Sequence, residues 1–272
     1  MSAPVNGEAV APFLLPHSLH GSGPHRIVAV HGWFADRAAF ATTLPDLDRQ
    51  NFTYLFVDLR GYGEARDADG AYTSNEGAAD VLALADRLGW DSFSLIGHSM
   101  GASVVQRVAA AAPQRVRRIV GISPVPASGM TMPPEQWELF TAAAEQPAHR
   151  RTIIDLTTGS VRPAAWLDRM VDRSVARSDP EAFRAWLDSW AGEDFHADVS
   201  GSTIPALAVT GALDPAIGTD LMRRTWQRWF AAAELVELPG AGHYAMDETP
   251  LQLIRTVEDF LRADDAVHDA PV

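Results

Sequence analysis

The sequence predicts an α/β protein whose mostly parallel sheet is covered by helices on both faces, with a helical insertion between two strands. Short apolar runs alternate with amphipathic helical patterns along most of the chain, which is typical of parallel sheets. The hydrophobic fraction of 47% over 272 residues is large enough to form a substantial core. One stretch, residues 127–200, contains helical patterns only.

Six apolar runs predict the strands, and short continuous runs of this kind are typical of strands that are buried on both faces. They cover residues 27–30, 52–58, 93–96, 116–122, 206–209 and 235–238. The stretch before Arg26 is irregular and gives no clear strand pattern. It contains His17, His20 and His25 with no carboxylate nearby, so we do not expect a metal site there.

Helical patterns lie between these runs. Thr73 and Glu76 have the spacing of a capping box, residues 102–112 are rich in alanine, and Thr249-Pro250 opens a last helix. Asp247 and Glu248 lie near the start of that helix, where carboxylates suit the helix dipole, so we expect them to cap it.

The stretch from residue 127 to 200 predicts a helical cap, or lid, over the carboxyl ends of the strands, where α/β folds bind ligands. The predicted core domain then comprises residues 1–126 and 201–272. Within the cap, we expect four short helices near residues 133–146, 148–158, 163–177 and 180–191. Four of the eight Trp residues lie in this stretch, and we expect Trp137 and Trp166 to line a substrate pocket.

The composition excludes several classes of function. Cysteine and lysine are both absent, which excludes disulfides, a thiol nucleophile, Schiff-base chemistry and a Ser-Lys dyad. The net charge of −13 disfavours nucleic acid and anionic membrane surfaces as partners. The first eleven residues lack a basic leader and no run approaches the length of a membrane span, so we expect a cytoplasmic protein. The sequence does not indicate an oligomeric state.

The motif that indicates chemistry most directly is Gly97-His98-Ser99-Met100-Gly101, which lies between a predicted strand and a predicted helix. This is the setting of a nucleophile elbow, a tight strand-to-helix turn that exposes a serine hydroxyl. Glycines are needed on either side because side chains there would collide with neighbouring backbone. Ser99 is therefore the predicted nucleophile, and we expect His98 to pack beside the elbow.

A serine nucleophile needs a base and an acid that orients the base. In this architecture the chain order is Ser, acid, His. Asp214 follows the predicted strand 206–209, and His243 follows the predicted strand 235–238. Both are therefore expected at the carboxyl end of the sheet, near Ser99.

The oxyanion needs backbone N–H donors. We expect one from Met100, the residue after the nucleophile, and one from Trp33, with Phe34 as the second choice. The Phe34 side chain is also expected in the substrate pocket. The segment 58–63 reads as a structural turn in which Arg60 pairs with Asp58.

With five motifs the chain resembles the α/β-hydrolase superfamily, and within it the lidded branch of serine esterases and lactonases. The resemblance extends from about residue 26 to residue 262, and Ser99 distinguishes the chain from epoxide hydrolases and haloalkane dehalogenases, which carry aspartate at the elbow. The motifs are His31-Gly32-Trp33, Asp58-Leu59-Arg60-Gly61-Tyr62-Gly63, Gly97-His98-Ser99-Met100-Gly101, Gly211-Ala212-Leu213-Asp214 and Gly242-His243.

These observations predict a serine hydrolase that cleaves small-molecule carboxylic esters through an acyl-enzyme, with no cofactor and no metal. Three alternatives stay open. They are a lactonase acting on a bulky apolar lactone, a cofactor-free perhydrolase or haloperoxidase, and a small-molecule receptor with vestigial hydrolysis.

Overall fold

A computed structural model of the protein describes residues 13–263. Within this range the chain forms one seven-stranded sheet with the order β1-β3-β2-β4-β5-β6-β7. All neighbouring strands are parallel except β1, which pairs antiparallel with β3. The predicted α/β fold with a mostly parallel sheet is confirmed. The strands are β1 (His17–Gly21), β2 (His25–Val30), β3 (Phe52–Val57), β4 (Phe93–His98), β5 (Val116–Ile122), β6 (Ala206–Gly211) and β7 (Ala233–Leu238).

The first strand corrects the expectation of an irregular N-terminal stretch. His17 and His20 lie on β1, and Leu19 pairs with Leu55 in the antiparallel ladder. None of the five side chains of β1 is fully buried, so this edge strand lacks the apolar run by which the other strands were predicted. His25 begins β2 and is buried, with its ring hydrogen-bonded to a serine hydroxyl on β4.

Helices cover both faces of the sheet. The helices are α1 (Ser74–Arg87), α2 (Met100–Ala111), α3 (Pro134–Ala142), α4 (Pro147–Thr157), α5 (Ala164–Arg177), α6 (Pro180–Gly192), α7 (His196–Val199), α8 (Thr219–Arg224), α9 (Trp226–Trp229), α10 (Ala245–Glu248) and α11 (Pro250–Arg262). Short 3₁₀ turns occupy Arg37–Phe40, Leu44–Asp46, Gly63–Ala65 and Pro113–Arg115. None of these described helices is both long and apolar enough to cross a membrane.

Successive residues of the central strands face opposite sides of the sheet. Val28 and Val30 pack into one apolar cluster, together with α1 and α2. Ile27 and Ala29 pack into a second cluster, together with α11. Burial on both faces explains why these strands read as continuous apolar runs rather than as an alternating pattern.

The segment between β5 and β6, residues 127–200, is helical as expected and contains α3 to α7. It packs into the same apolar cluster as α1 and α2. Two indole hydrogen bonds join it to the rest of the fold, from Trp186 Nε1 to the Arg60 carbonyl at 3.0 Å and from Trp33 Nε1 to the Phe183 carbonyl at 2.7 Å. We call residues 127–200 the inserted segment; that it forms a separate cap domain stays a prediction.

The turn after β3 is structural, but its ion pairs differ from the expected one. Arg60 does not pair with Asp58; its guanidinium binds Asp80 on α1 at 2.7 Å. Asp58 is fully buried and instead binds Arg37 at 2.5 Å. It also accepts the backbone N–H of Glu64 at 2.9 Å, so its carboxylate closes the turn from inside.

Candidate active site

The elbow at the end of β4 has the strained geometry that its glycines predict. Ser99 has φ 52° and ψ −118°, a conformation that L-residues rarely adopt. A Cβ on Gly97 would lie 2.6 Å from the Cα of Ala102, and one on Gly101 would lie 2.5 Å from the carbonyl oxygen of His31. Both contacts are with backbone that cannot move aside, so glycine is required at both positions.

Three side chains that are far apart in the sequence form one hydrogen-bonded chain. The Ser99 Oγ lies 2.9 Å from the Nε2 of His243, and the Nδ1 of His243 lies 2.6 Å from the Oδ2 of Asp214. Because Nδ1 faces a carboxylate, it carries the proton, and Nε2 is left as an acceptor for the Ser99 hydroxyl. The structure thus brings together the three residues that the sequence predicted as nucleophile, base and acid.

Asp214, the predicted acid, is held in place by its own turn after β6. Its Oδ1 accepts the backbone N–H of Ala216 at 2.9 Å and that of Ile217 at 3.2 Å, while its side chain is fully buried. These bonds leave Oδ2 free to bind His243. They also satisfy the hydrogen-bonding needs of a buried side chain.

The loop after β2 lies directly against His98 and Ser99. A Cβ on Gly32 would lie 2.6 Å from the Nδ1 of the buried His98 ring and 3.1 Å from the Cβ of Ser99, and the first contact is too close unless the ring moves. The backbone N–H groups of Trp33, Phe34 and Met100 have no acceptor within the part of the chain that the structure describes. Unpartnered N–H groups beside a serine hydroxyl can receive a developing oxyanion.

Two buried histidines form hydrogen bonds with the backbone around the candidate site. His31 donates from Nδ1 to the Gly32 carbonyl at 2.9 Å and accepts the Leu59 N–H at Nε2, which fixes the loop before Trp33. His98 packs beside the elbow as expected, and its Nε2 donates to the His243 carbonyl at 2.8 Å. Burial, aided by the nearby His243, lowers the pKa of His98 to about 3, and burial also lowers that of His31. Both rings are therefore neutral near pH 7.

The loop that carries His243 is held by groups that the sequence did not single out for this purpose. Glu248 does not cap α11; its Oε2 accepts the N–H of Gly242 at 2.8 Å and that of Tyr244 at 2.9 Å. The N–H of His243 itself donates to the carbonyl of Thr157 at the end of α4. A carboxylate five residues after the histidine was a visible signal, but its target could not be predicted from the sequence.

A small, partly enclosed cavity of about 50 Å³ adjoins Ser99 and His243. Apart from the Ser99 hydroxyl and the His243 ring, its walls are almost entirely apolar, and no Arg, Asp or Glu lines it. Phe34 lines the cavity as predicted, whereas Trp137 and Trp166 do not. The lining residues are Trp33, Phe34, Ser99, Val125, Met130, Met132, Gln136, Phe140, Ile153, Thr157, Trp190, Ala216, Ile217, His243 and Tyr244.

Trp137 and Trp166, the two tryptophans that were predicted to line the pocket, lie outside the cavity. Trp137 is on α3 and lines a separate open groove between α3 and α6. Trp166 packs edge-on against Tyr244 with 6.0 Å between ring centroids, so it supports the cavity wall from behind. Within residues 13–263, no three His, Asp or Glu side chains lie close enough together to hold a metal ion.

Comparison with known proteins agrees with this geometry. A family model described as the alpha/beta hydrolase fold matches residues 25–250, which is most of the chain. The protein belongs to this family. The curated relatives include a dihydrolipoyllysine-residue acetyltransferase component of an acetoin cleaving system from Pseudomonas putida, which is 29% identical over 264 residues, 96% of this chain and 70% of the relative.

Two further relatives of this hydrolase are named for ester chemistry. A pimeloyl-[acyl-carrier protein] methyl ester esterase from Nitrosomonas europaea is 28% identical over 252 residues, which cover 86% of this chain and 94% of the relative. The enol-lactonase from Burkholderia xenovorans LB400 superposes with a TM-score of 0.80 and 25% identity over 91% of this chain and 96% of its own. Family members thus include an esterase, a lactonase and an acyltransferase.

Proposed function

We propose that this α/β hydrolase is a serine hydrolase that cleaves carboxylic esters through an acyl-enzyme on Ser99. The observation that carries the proposal is the 2.9 Å and 2.6 Å chain from Ser99 through His243 to Asp214. This arrangement gives a weak nucleophile the base that it needs and holds that base in one tautomer.

In the first half of the reaction, the Ser99 Oγ attacks the ester carbonyl carbon while His243 Nε2 takes the hydroxyl proton. The carbonyl oxygen becomes an oxyanion and is bound by the N–H groups of Met100 and Trp33. As the C–O bond to the alcohol breaks, His243 returns the proton to the leaving alkoxide. The Asp214 carboxylate stabilises the imidazolium that forms between these two transfers.

In the second half, water attacks the acyl-enzyme in the place that the alcohol has left. His243 takes a proton from the water, the same N–H groups bind the second oxyanion, and the proton then returns to Ser99 as the acid is released. Every bond that is formed or broken is accounted for by substrate, water and these residues.

The cavity favours a small, uncharged acyl group. A volume of about 50 Å³ holds only a few heavy atoms, and the walls offer no cation to pair with a carboxylate. A buried carboxylate without a partner costs several kcal/mol. Acetate to butyrate esters are therefore expected to react faster than long-chain esters or half-esters of dicarboxylic acids.

A lactonase is the second candidate, because the enol-lactonase has a similar fold and a closed ring is an internal ester with the same reacting atoms. The cavity of about 50 Å³ is smaller than the bulky apolar lactone that the sequence suggested, so a small lactone is the better choice. The mass of the product separates the two activities, since an opened lactone keeps both halves in one molecule.

The test is a panel of p-nitrophenyl esters and lactones of increasing size, measured with the wild type and with Ser99→Ala. We expect turnover of the short esters, and a loss in kcat of about 10⁴-fold or more in the variant, because the nucleophile is removed. A variant that keeps a tenth of the wild-type rate would contradict the mechanism. A wild type that is inactive on the whole panel, but melts at a higher temperature with ligand, would favour a receptor.

A further inference from the structure

Residues 239–244, which carry His243, form what we call the histidine loop. One ion pair connects the inserted segment to Glu248, the residue that binds the backbone of this loop. Arg162, which precedes α5, binds the Oε1 of Glu248 through Nε at 2.7 Å and donates from a terminal nitrogen to the Gly240 carbonyl at 2.8 Å. The Glu248 side chain is only 1% exposed. Neither residue lines the cavity at Ser99, so neither can touch a substrate there.

Glu248 uses its two oxygens for two different tasks. Its Oε2 binds the N–H groups of Gly242 and Tyr244, the residues directly before and after His243. Its Oε1 binds Arg162. Burial raises the pKa of this carboxyl group, and Arg162 and the two N–H groups oppose the rise by stabilising the ionised form. Removing Arg162 therefore favours the neutral acid, which is a weaker acceptor for the two amides.

The backbone of His243 is fixed on every side by such bonds. Its N–H donates to the Thr157 carbonyl at 3.0 Å, and its own carbonyl accepts from His98 at 2.8 Å. Together with the two amides bound to Glu248, these contacts determine where the imidazole stands relative to Ser99. Thr157 and Arg162 both belong to the inserted segment. This segment therefore helps to position the His243 ring and also to enclose the cavity.

We propose that Glu248 and Arg162 are positioning residues that hold the backbone on either side of His243 and thereby keep its Nε2 within reach of the Ser99 hydroxyl. This inference rests on the proposed function, in which His243 is the base. A shift of about 1 Å in a catalytic group can cost about a hundredfold in rate without changing substrate affinity. Loss of the pair is therefore expected to lower kcat and to leave KM nearly unchanged.

The experiment compares Arg162→Gln, Glu248→Gln and the double variant with Arg151→Gln as a matched control. Arg151 also lies in the inserted segment and forms an ion pair, with Asp168 at 2.9 Å, but that pair is exposed and far from the histidine loop. We expect kcat to fall about tenfold in each single variant and by no more than about thirtyfold in the double variant, because both substitutions break one chain of contacts. KM is expected to stay within twofold, and Arg151→Gln to match the wild type.

A chemical rescue separates positioning from a general loss of stability. Arg162→Ala leaves a space beside Glu248, so millimolar guanidinium is expected to recover a large part of kcat, and the same salt should not help Glu248→Gln. Values of kcat in Arg162→Gln and Glu248→Gln within twofold of the Arg151→Gln value would overturn the proposal. So would an increase in KM alone, or a loss of kcat that only follows the unfolded fraction in thermal melts.

The failure of this proposal is distinguishable from failure of the proposed function. If Ser99→Ala is inactive and the Arg162 and Glu248 variants are fully active, only the positioning role is wrong. If Ser99→Ala retains its rate, the acyl-enzyme mechanism itself is wrong. Glu248→Gln tests a carboxylate that could be needed for folding, whereas Arg162 is partly exposed, so the Arg162 variants keep the test decisive should Glu248→Gln fail to fold.

Discussion

The two sides of the inserted segment that meet at the cavity are built differently. On one side, which we call the anchored side, α4 and α5 bury Ile153, Ile154 and Met170. This side also forms ion pairs with two buried carboxylates of the core: Arg162, between these helices, binds Glu248, and Arg177 and Arg173 on α5 bind Asp36. The other side, the open side, comprises residues 127–142. Its helix α3 has no fully buried side chain, and no ion pair joins this side to the core within residues 13–263.

This difference assigns separate tasks to the two sides. The anchored side binds the backbone of His243, so it cannot move far without displacing the His243 ring from Ser99. The open side contributes Met130, Met132 and Phe140 to the cavity wall and is held mainly by apolar contacts. Local opening is easiest where few buried contacts are lost, so substrate is expected to enter by displacement of the open side.

The largest expected effect is on the anchored side, from Gly242→Ala. A Cβ on Gly242 would lie 2.7 Å from the Cα of Thr158 and 2.8 Å from the carbonyl oxygen of Thr157, so α4 and the histidine loop must separate. We expect kcat to fall by about a hundredfold or more. Gly240→Ala is the control in the same loop, since its Cβ would meet only a threonine methyl at 3.3 Å. Equal activity of the two variants would show that the contact with α4 is not needed.

The second prediction concerns how much the Arg177–Asp36 ion pair of the anchored side contributes to the free energy of unfolding. Arg177→Gln removes the 2.6 Å partner of Asp36, whose side chain is fully buried. Among residues 13–263 it leaves Arg173 at 3.9 Å and the Ala38 N–H, which Asp36 accepts at 3.1 Å. We expect the free energy of unfolding to fall by about 2 kcal/mol, because a buried carboxylate loses its strongest donor. The exposed Arg151–Asp168 pair serves as reference, and Arg151→Gln should cost less than about 0.5 kcal/mol in the same denaturant titration. Similar losses in both variants would remove the distinction between the two sides.

The third prediction tests the open side. Phe140 lines the cavity and stacks on Trp33 with 5.7 Å between ring centroids. Phe140→Ala is expected to raise kcat/KM for octanoate esters relative to acetate esters by about tenfold, because it enlarges the space for the acyl chain. Trp137→Ala on the same helix lies outside the cavity and should leave this ratio unchanged. An unchanged ratio in both variants would mean that α3 does not limit acyl length.

The smallest expected effect is a pH dependence of the free energy of unfolding. It originates at His98, which donates a hydrogen bond to the His243 carbonyl. Burial lowers the pKa of His98 from 6.5 to about 3, so the unfolded chain takes up a proton at this residue well before the folded protein does. Stability contributed by the neutral ring is complete above pH 6.5 and is lost as the pH falls toward 3. Between pH 6.5 and 5.5 the loss is about 1 kcal/mol. His98→Gln should lose this share of the pH slope in denaturant unfolding; an unaltered slope would contradict the assignment to His98.

Features that depend on short sequence context could be predicted. The elbow was recognisable because its strained turn requires glycines at Gly97 and Gly101. Asp214 and His243 were recognisable because each lies in the loop that follows a strand of the sheet. The strands themselves were predictable because burial on both faces demands continuous apolar runs. The two edge strands, β1 and β7, are not buried in this way; β1 has no apolar run, whereas β7 keeps enough of one to be recognised.

Features that depend on the relative placement of distant elements could not be predicted. The partner of Arg60 is on α1 rather than in its own turn, and Glu248 reaches back to the histidine loop rather than forward to α11. The placement of Trp137 away from the cavity depends on how α3 is rotated about its axis, which amphipathicity barely defines in a helix with no fully buried side chain. These facts follow from tertiary packing, which a local pattern does not determine.

The bond from the His243 N–H to Thr157 also has an electrostatic consequence. Thr157 is the last residue of α4, so the negative end of this helix's macrodipole is directed at the loop of the base. In the proposed mechanism His243 becomes an imidazolium during proton transfer, and such a helix terminus stabilises a nearby positive charge by about 0.3 to 1 kcal/mol. A helix of the inserted segment would thereby share with Asp214 the task of balancing this transient cation.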